Sequence, residues 1–326
     1  MKLLKSLALG KLVFFLAIPF VLAQERPVAV NVSIPSLSFD QAPYVIAKEK
    51  GYFRQEGIEP RFILMHSAIA SKALVTRDVD FATLGSPTIN AAVAGFPVRA
   101  VFANASRTDM YLVASKEIQS IADLRGKKVG IGGIGGLADV GTKRFLRANG
   151  IVPKQVTFIV LGGSAVRMAA VMNRSVAAAP LSPPRDYMAK KAGLNVLGYF
   201  GDTFPSYMGG VGVHADTLRE KPLLVKGFIK AGLKGLKFMH ARKSETVEMM
   251  MRFMKLGNKE LVEAVYNSSI GAFTHDGLLS PDVQREIIAI ALEGMGRPGG
   301  PRPEALFDFT FVREAGRELE AEGWKP

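Results

Sequence analysis

Three glycines stand at a spacing that can hold an anion. Gly130, Gly132 and Gly135 form the pattern G-x-G-x-x-G, which opens dinucleotide-binding domains. Glycine lets backbone N–H groups approach a ligand closely, and a helix that begins after such a loop adds the positive end of its dipole. The motif therefore predicts either a nucleotide-binding site or another site where backbone N–H groups contact a solute directly.

The residues that follow these glycines argue against a nucleotide. A dinucleotide-binding domain carries an acidic residue about 20 positions further on, at the tip of the next strand. Here the next strand-like run, 156–163, ends in two glycines. A phosphate-binding loop is also disfavoured, because Thr142 precedes Lys143 whereas that motif needs the lysine first.

The N-terminal segment has the pattern of a secretory signal peptide. Lysines within residues 2–11 precede an apolar run over 12–22, and Val21 and Ala23 supply the small residues of a cleavage site. The run is too short to cross a bilayer, which needs roughly 20 apolar residues. We expect residues 1–23 to be removed. Because the chain has no cysteine for a lipid anchor, we expect it to reside in the periplasm of a Gram-negative cell.

The composition disfavours enzymatic and metal-dependent functions. The chain has no cysteine and four widely spaced histidines, with no H-E-x-x-H or G-x-S-x-G motif. We therefore expect no catalytic activity, no metal and no cofactor, although a triad assembled in space would leave no such signal. The formal charge of +13 is dispersed along the chain, which predicts a solvated surface rather than nucleic-acid binding. An anionic solute or an acidic membrane surface is the alternative explanation of this charge.

Strand-like and helix-like segments alternate up to about residue 200. Strands are predicted over 27–34, 60–66 and 80–85, each followed by a helix that begins after a short polar loop. From about 216 to 321 the pattern is almost entirely helical, with one helix start at Ser280-Pro281. This order predicts an α/β protein with doubly wound, mostly parallel sheets, and the chain is long enough for two lobes.

Short polar loops follow the predicted strands. In doubly wound sheets a ligand binds beyond the carboxyl ends of the strands, where glycines and helix N-termini cluster. Such loops offer backbone N–H groups or hydroxyls to an anionic or polar group, but the same residues also serve as ordinary caps and turns. The loops lie at 35–39, 66–68, 85–88, 132–137 and 162–164.

Four segments together resemble the solute-binding proteins of ABC importers. They are AKEKGYFRQEGIEP (47–60), ALVTRDVDFATLGSPTINAAVAG (73–95), IADLRGKKVGIGGIGG (121–136) and MAAVMNRSVAAAPLSPPRDYMAKKAGLNVLG (168–198). The chain is most similar to the nitrate-, sulfonate- and taurine-binding family, which includes relatives that bind thiamine-precursor pyrimidines. The resemblance runs over nearly all of the exported chain. It implies a two-lobed type II periplasmic binding protein fold, in which two α/β lobes joined by two crossover segments close around a solute.

This resemblance divides the chain into two lobes. Lobe I would comprise residues 24–106 and 211–326, and lobe II would comprise residues 107–210. The protein would act as a monomer that delivers a small-molecule solute to an inner-membrane ABC permease with its ATPase. A periplasmic receptor that signals through a sensor protein is the alternative, because both kinds of partner recognise lobe closure.

The resemblance also places the solute between the strand-end loops of the two lobes. Arg107, just past the first crossover, would either reach an anionic group or lie at the surface of the hinge. We expect Arg167 to form an ion pair at the surface. The matching residues of lobe I are Ser36, Ser38, Phe39, His66, Ser67, Gly85 and Ser86. Those of lobe II and the return crossover are Gly133, Gly135, Ser164, Ser182 and Tyr207.

The sequence departs from the family pattern at one position. Where the family has Gly-x-Val-Asp-Ala, residues 174–178 read Arg-Ser-Val-Ala-Ala, so a carboxylate is missing at Ala177. If that acid normally anchors the lobe, the segment 174–184 would lie differently in this protein. The inference that Ser182 binds the solute depends on this segment.

The residues leave two classes of solute open. The positive charge, Arg107 and several helix N-termini favour a sulfonate, a carboxylate or another small anion. Phe39, Tyr207 and the methionine-rich segment 168–172 suit an aromatic compound or a heterocycle such as a pyrimidine. Of the two classes, we expect the small anion.

Overall fold

Two five-stranded sheets organise the protein. The structure is a computed structural model that describes residues 26–326, so the predicted signal peptide at 1–23 lies outside the described residues. The sheet that contains the first strand, with its helices, is called lobe I below, and the other sheet with its helices is called lobe II. The strands are β1 (Val28–Ile34), β2 (Ile58–Leu64), β3 (Phe81–Ala82), β4 (Val98–Arg107), β5 (Tyr111–Ala114), β6 (Lys128–Ile131), β7 (Thr157–Val160), β8 (Ala178–Leu181), β9 (Asn195–Tyr199) and β10 (Pro205–His214).

Helices connect most of these strands and form the C-terminal third of the chain. After β10 the described chain is helical with short connections, as the sequence pattern predicts, and the Ser280 side chain caps one helix by accepting a hydrogen bond from the Val283 N–H. The helices are α1 (Ala42–Glu49), α2 (Tyr52–Gln55), α3 (Ser67–Val75), α4 (Ser86–Val93), α5 (Leu137–Ala148), α6 (Ser164–Met172), α7 (Arg185–Lys191), α8 (Ala215–Glu220), α9 (Pro222–Ala241), α10 (Lys243–Phe253), α11 (Lys259–Ser269), α12 (Pro281–Met295) and α13 (Thr310–Ala321).

The two sheets have the same arrangement of parallel and antiparallel strands. The order in lobe I is β2-β1-β3-β10-β4, and the order in lobe II is β7-β6-β8-β5-β9. In each sheet the first three strands are parallel and the last two pair antiparallel. The sheets are therefore mixed, because β10 in lobe I and β5 in lobe II run antiparallel to both of their neighbours.

The core of lobe I is built around the long helix α9. Phe228 of this helix stacks on Phe81 of β3 with ring centroids 3.9 Å apart, and Tyr44 of α1 stacks on Phe228 at 6.4 Å. The Tyr44 ring is buried, and its hydroxyl donates a hydrogen bond to Asn104 on β4 at 2.9 Å. Burial of each such side chain contributes about 1.5–3 kcal/mol, which fixes the sheet whose strand ends form one side of the cleft.

Lobe II has a smaller core of its own. Phe145 of α5 stacks on Phe200 with ring centroids 4.8 Å apart, and both rings pack against buried residues of the sheet such as Leu112 and Val129. A second cluster on the other face of the sheet includes Val171 of α6. The separate cores allow each lobe to move as a unit.

Two adjacent strands lead to the crossovers between the lobes. β4 and β10 pair antiparallel from Val98–His214 at one end to Arg107–Pro205 at the other. The chain passes into lobe II through residues 108–110 and returns through residues 200–204. Because the crossover strands are hydrogen-bonded to each other, the two short connecting segments begin side by side.

The longest helix, α9, is amphipathic and carries several lysines. Among residues 26–326, no helix is long and apolar enough to cross a membrane.

Candidate functional site

A cavity lies at the boundary between the two lobes. Its volume is about 150 Å³, and its walls come from the N-terminal parts of α4 and α5, the loop after β6, the start of β10 and helix α12. Three residues predicted from the sequence line it, namely Ser86, Gly135 and Tyr207. Ile287 of α12 adds an apolar wall, and Ser206 adds a hydroxyl that is buried without a hydrogen-bond partner in the described part of the chain.

The glycine-rich loop that enters this cavity already holds an anionic group of the protein. The Gly135 N–H donates to the carboxylate of Asp139 at 2.9 Å, and Lys143 pairs with the same buried carboxylate at 2.6 Å. The Gly136 N–H donates to the Gly133 carbonyl at 3.2 Å, while Gly133 itself is exposed. The N-terminus of α5 is thus capped from within the loop, so these two N–H groups are occupied before any solute arrives.

The loop after β1 directs its hydroxyl groups at a carboxylate. Ser36 Oγ and Ser38 Oγ lie 2.6 Å apart, and the Ser38 hydroxyl donates to Asp40. The Gln41 side-chain amide also donates to Asp40, at 2.6 Å. Phe39 points the other way, because its ring is buried edge-on against Tyr266 at 5.8 Å. The two serines therefore position Asp40.

The loop after β2 lies at the edge of the sheet. His66 is exposed, and its Nδ1 accepts a hydrogen bond from the Ala68 N–H at 3.4 Å as the cap of α3. Ser67 is half-buried as the first residue of that helix. Since β2 is the outermost strand of lobe I, this loop is the most peripheral of the predicted site loops.

The loop after β3 is fastened to the return crossover. The Ser86 hydroxyl donates to the Tyr207 carbonyl at 2.9 Å, and a Cβ on Gly85 would lie 2.0 Å from the same oxygen. The Tyr207 hydroxyl in turn donates to the Phe102 carbonyl at 2.7 Å, and its ring is fully buried. Gly85 is therefore required for the close approach of two segments of the chain, and the side chain of Tyr207 is held in the interior of lobe I.

The predicted residues of lobe II meet beside the first crossover. The Ser182 N–H donates to Ser164 Oγ at 3.2 Å, which joins the loops after β7 and β8. Arg107 has a side chain that is 53% exposed and lies 4.0 Å from Asp202. Arg107 is therefore at the rim of the cleft, and its ion pair with Asp202 is long and weak.

Three carboxylates are close enough for the charges of two of them to affect the third, and none of them is among the site residues predicted from the sequence. Asp40 follows β1, Asp109 lies between β4 and β5, and Asp186 is in the first turn of α7. Burial, together with the negative charges of Asp40 and Asp186, raises the pKa of Asp109 to about 7, against a hydrogen bond from Ser182 that lowers it. Burial also raises the pKa of Asp40 and the pKa of Asp186. Each carboxylate is held where ionisation is costly.

Two tyrosines stand beside these carboxylates. The rings of Tyr111 on β5 and Tyr199 on β9 are 4.8 Å apart, and the Tyr111 hydroxyl reaches across to the Ser268 carbonyl of lobe I at 3.2 Å. Burial and the charges of Asp186 and Asp109 raise the pKa of Tyr111 to about 12. The tyrosines remain neutral at physiological pH and offer aromatic surface next to negative charge.

Arg167 is buried rather than paired at the surface, contrary to expectation. Its side chain lies under the cleft loops, with Nε donating to the Pro180 carbonyl at 2.7 Å and Nη1 donating to the Gly162 carbonyl. Burial lowers the pKa of this guanidinium. Its charge is therefore used to hold together the ends of β7 and β8, which carry Ser164 and Ser182.

Metal coordination finds no support in the described range. Residues 26–326 contain no group of three or more His, Cys, Asp or Glu side chains that converge closely enough to hold a metal ion.

Comparison with known families places the protein. Residues 38–246 match the family model described as NMT1/THI5 like, which is more than half of the chain. The chain belongs to the NMT1/THI5-like family. A curated relative is the riboflavin-binding protein RibY of Chloroflexus aurantiacus, which is 30% identical over 249 residues, covering 73% of this chain and 70% of RibY.

Solved structures confirm the two-lobed fold. The putative periplasmic sulfonate-binding protein SsuA of Methylobacillus flagellatus superposes with a TM-score of 0.74 at 18% identity, covering 93% of this chain and 98% of SsuA. The periplasmic nitrate-binding protein NrtA of Synechocystis PCC 6803 superposes with a TM-score of 0.70 at 16% identity, covering 90% of each chain. The family resemblance and the fold class predicted from the sequence are confirmed by these similarities.

The same fold also occurs in an enzyme. The desulfurization enzyme DSZB superposes with a TM-score of 0.67 at 12% identity, covering 89% of this chain and 99% of DSZB. Similarity at this level shows the fold alone, so the fold does not by itself decide between binding and catalysis.

The acidic cluster of this NMT1/THI5-like chain has a weak signal in its sequence. Asp109 follows the end of β4 by two residues, and Asp186 follows Pro183-Pro184 by two residues, so both stand where strand-end loops carry functional groups. Asp40 lies inside a short 3₁₀ helix before α1. Nothing in the spacing shows that the three side chains meet.

Proposed function

We propose that this protein is the solute receptor of an ABC import system, which takes up a small solute between its lobes and delivers it to an inner-membrane permease and ATPase. The observation that carries the proposal is the boundary between the lobes, where segments from both lobes enclose a cavity. Membership of the NMT1/THI5-like family and the fold shared with SsuA and NrtA support it.

Side-chain contacts connect the two lobes on both sides of the cleft, as expected for a receptor whose lobes close around a solute. On one flank Arg144 of α5 lies 2.8 Å from Glu293 of α12, and Arg147 lies 3.1 Å from the same carboxylate. On the other flank Tyr187 and Lys191 of α7 each lie 2.7 Å from Glu260 of α11. A permease that recognises the closed receptor would then bind surfaces of both lobes at the same time.

The charges at the cleft favour a nitrogen-containing heterocycle over the small anion expected from the sequence. An anion would face Asp40, Asp109 and Asp186, whereas Arg107 lies at the rim and Arg167 is held by carbonyl oxygens. Like charges in a poorly solvated place repel strongly. The name of the relative RibY, a riboflavin-binding protein, agrees with a heterocycle.

Binding without catalysis is the simplest role for these residues. The sequence has no cysteine nucleophile, and among residues 26–326 the cleft groups that titrate are carboxylates and tyrosines rather than histidines. The structural neighbours SsuA and NrtA are binding proteins.

Native mass spectrometry of the protein purified after export from the full-length chain tests this proposal. We expect a small molecule to be released on denaturation, or one member of a panel of heterocycles, sulfonates and carboxylates to raise the melting temperature. An empty protein that no compound stabilises would contradict a receptor function.

A further inference from the structure

The cavity at the boundary between the lobes is lined mainly by apolar side chains. Within the described part of the chain, no Asp, Glu, Lys, Arg or His side chain forms part of its wall. A charged group of a solute would lose its hydration there without gaining a partner of opposite charge. The apolar side chains come from α4, α5 and α12, and most of them are buried, namely Ile89, Leu137, Val140, Ile287, Ile290 and Ala291.

The polar groups deep in the wall are already used within the protein or are out of reach. The Ser86 hydroxyl donates to the Tyr207 carbonyl at 2.9 Å, and the Gly135 N–H donates to the Asp139 carboxylate at 2.9 Å. The Ser206 hydroxyl oxygen has almost no accessible surface. An ordered water needs roughly two to four polar partners, so these walls suit an apolar group better than they suit water.

The mouth of the cavity carries exposed apolar side chains from both lobes. Ile134, in the glycine-rich loop of lobe II, is 84% exposed, and Met295, at the end of α12 in lobe I, is 38% exposed. The exposed side chain of Asn90 adds a polar group. Exposed apolar surface gains free energy when a ligand covers it. A group seated in this cavity therefore contacts both lobes at once.

The volume limits what the cavity can hold. It is about 150 Å³, and an apolar cavity of about that size can stay free of water and bind one benzene ring. A fused heterocycle is larger than this, so only one of its rings can enter. A sulfonate or nitrate group is small enough to enter, but it finds no cation on these walls.

We infer that this cavity is the subsite for an uncharged, apolar six-membered ring of the solute, and that Ala291 on α12 sets the room available to that ring. The inference rests on the proposed receptor function and deepens it by naming the part of the solute that the two lobes enclose. The ring adds apolar contact between α5 of lobe II and α12 of lobe I, which stabilises the closed arrangement. Polar atoms of the same solute lie outside this cavity.

A ligand-observed NMR titration with toluene and benzoate tests the chemistry of the subsite. The two probes share one ring and differ in a single charged group. The protein is dialysed after purification until native mass spectrometry shows no bound compound. We expect toluene to bind the wild-type protein and benzoate to bind at least tenfold more weakly, because its carboxylate has no partner in the cavity.

Ala291→Leu places three more carbons in the cavity, so it should weaken toluene binding at least tenfold. Ala289→Leu is the matched control, because Ala289 lies on the same helix but is exposed and does not line the cavity. We expect its affinity for toluene to stay within twofold of wild type. The melting temperature of unliganded Ala291→Leu should equal or exceed that of wild type, because the side chain fills apolar space.

A second variant covers the case in which leucine at 291 disturbs the packing of α12. Ile134→Ala changes an exposed side chain at the mouth and leaves the core of lobe II intact. It should weaken toluene binding about threefold, because less apolar surface is covered on binding. Competition then connects the cavity with the solute site. The compound that native mass spectrometry releases from freshly purified protein should displace toluene.

The possible failures are distinguishable. The assignment is overturned, and the receptor function stands, if a released solute leaves toluene in place, if benzoate binds as tightly as toluene, or if toluene fails to bind. Wild-type affinity for toluene in both Ala291→Leu and Ile134→Ala would overturn it in the same way. A protein that releases no solute and that no compound of the panel stabilises would contradict the receptor function itself, and this inference would fall with it.

Discussion

Gly135 and Gly294 meet across the boundary between the lobes, backbone against backbone. A Cβ on Gly135 would lie 2.7 Å from the Gly294 carbonyl oxygen, and a Cβ on Gly294 would lie 2.8 Å from the Gly135 carbonyl oxygen. Carbon and oxygen atoms that are not bonded do not approach this closely, so a side chain at either position would push the lobes apart. Gly135, the last glycine of the sequence motif, thus permits this close contact.

Gly294→Ala is expected to weaken solute binding about tenfold, a loss of about 1.4 kcal/mol, because the closed form becomes strained. The helix itself should gain, since alanine favours helix more than glycine does. Calorimetry with a solute that binds the wild-type protein measures the effect. Gly316→Ala in α13, where a Cβ would meet no atom within 4 Å, is the control. Unchanged affinity in Gly294→Ala would show that this contact is absent from the closed form in solution.

The ion pairs of Glu293 with Arg144 and Arg147, on the same side of the cleft, are expected to have a smaller effect on solute affinity. Hydrogen bonds from Arg144 and Arg147 outweigh burial and lower the pKa of Glu293. Because Glu293 is partly exposed, Glu293→Gln should reduce affinity only two- to threefold, or about 0.5 kcal/mol, and high salt should reduce the wild-type affinity to a similar degree. Glu220→Gln, which removes a 2.7 Å pair with Arg77 inside lobe I, is the control and should leave the affinity unchanged. If Glu293→Gln and Glu220→Gln changed the affinity equally, the ion pairs of Glu293 would have no specific role in lobe closure.

The sequence predicts the fold well because the relevant signals are local. Alternating apolar segments and polar loops mark β1 to β3 and their helices within a few residues of the observed bounds. The antiparallel character of β4 and β10 is not predictable in this way, since Arg107 and Pro205 pair across almost a hundred residues. Only the pairing shows that the crossover strands lie side by side.

The candidate site is harder to predict because burial decides what each side chain does. Phe39 and Tyr207 have the types that bind heterocycles, but the Phe39 ring packs into the core of lobe I and the Tyr207 hydroxyl is taken by the Phe102 carbonyl. Asp109 looks like an ordinary loop residue until Asp40 and Asp186 are placed beside it. The pKa of Asp109 depends on distances that no local pattern contains.

The raised pKa of Asp109 predicts that stability falls as the pH rises. The folded protein holds the proton of Asp109 up to about pH 7, whereas the unfolded chain releases it near its ordinary value of about 3.9. The contribution to stability is therefore complete below the unfolded value and is lost as the pH rises through about 7. We expect the melting temperature of the unliganded protein to decline between about pH 4 and pH 7 and to level off above that interval.

Asp109→Asn should flatten this decline, since the amide does not titrate. The neighbouring carboxylates of Asp40 and Asp186 retain a part of the dependence, because their pKa values are also raised. Melting curves across the pH interval measure the slope, with Asp282→Asn as an exposed control that should behave as wild type. The prediction is wrong if Asp109→Asn and wild type show the same slope.

Substitution of Arg167 tests whether this buried cation stabilises the strand ends that carry the cleft loops. Its guanidinium is held by the Pro180 and Gly162 carbonyls, so Arg167→Met keeps much of the volume but leaves those oxygens without their donors. We expect the free energy of unfolding to fall by about 2–4 kcal/mol, as urea denaturation would measure. Arg125→Met removes a longer, exposed bond to a carbonyl, at 3.3 Å, and should cost less than about 0.5 kcal/mol. If both variants were equally stable, the guanidinium would be free to meet a solute, and an anion would again be the better candidate.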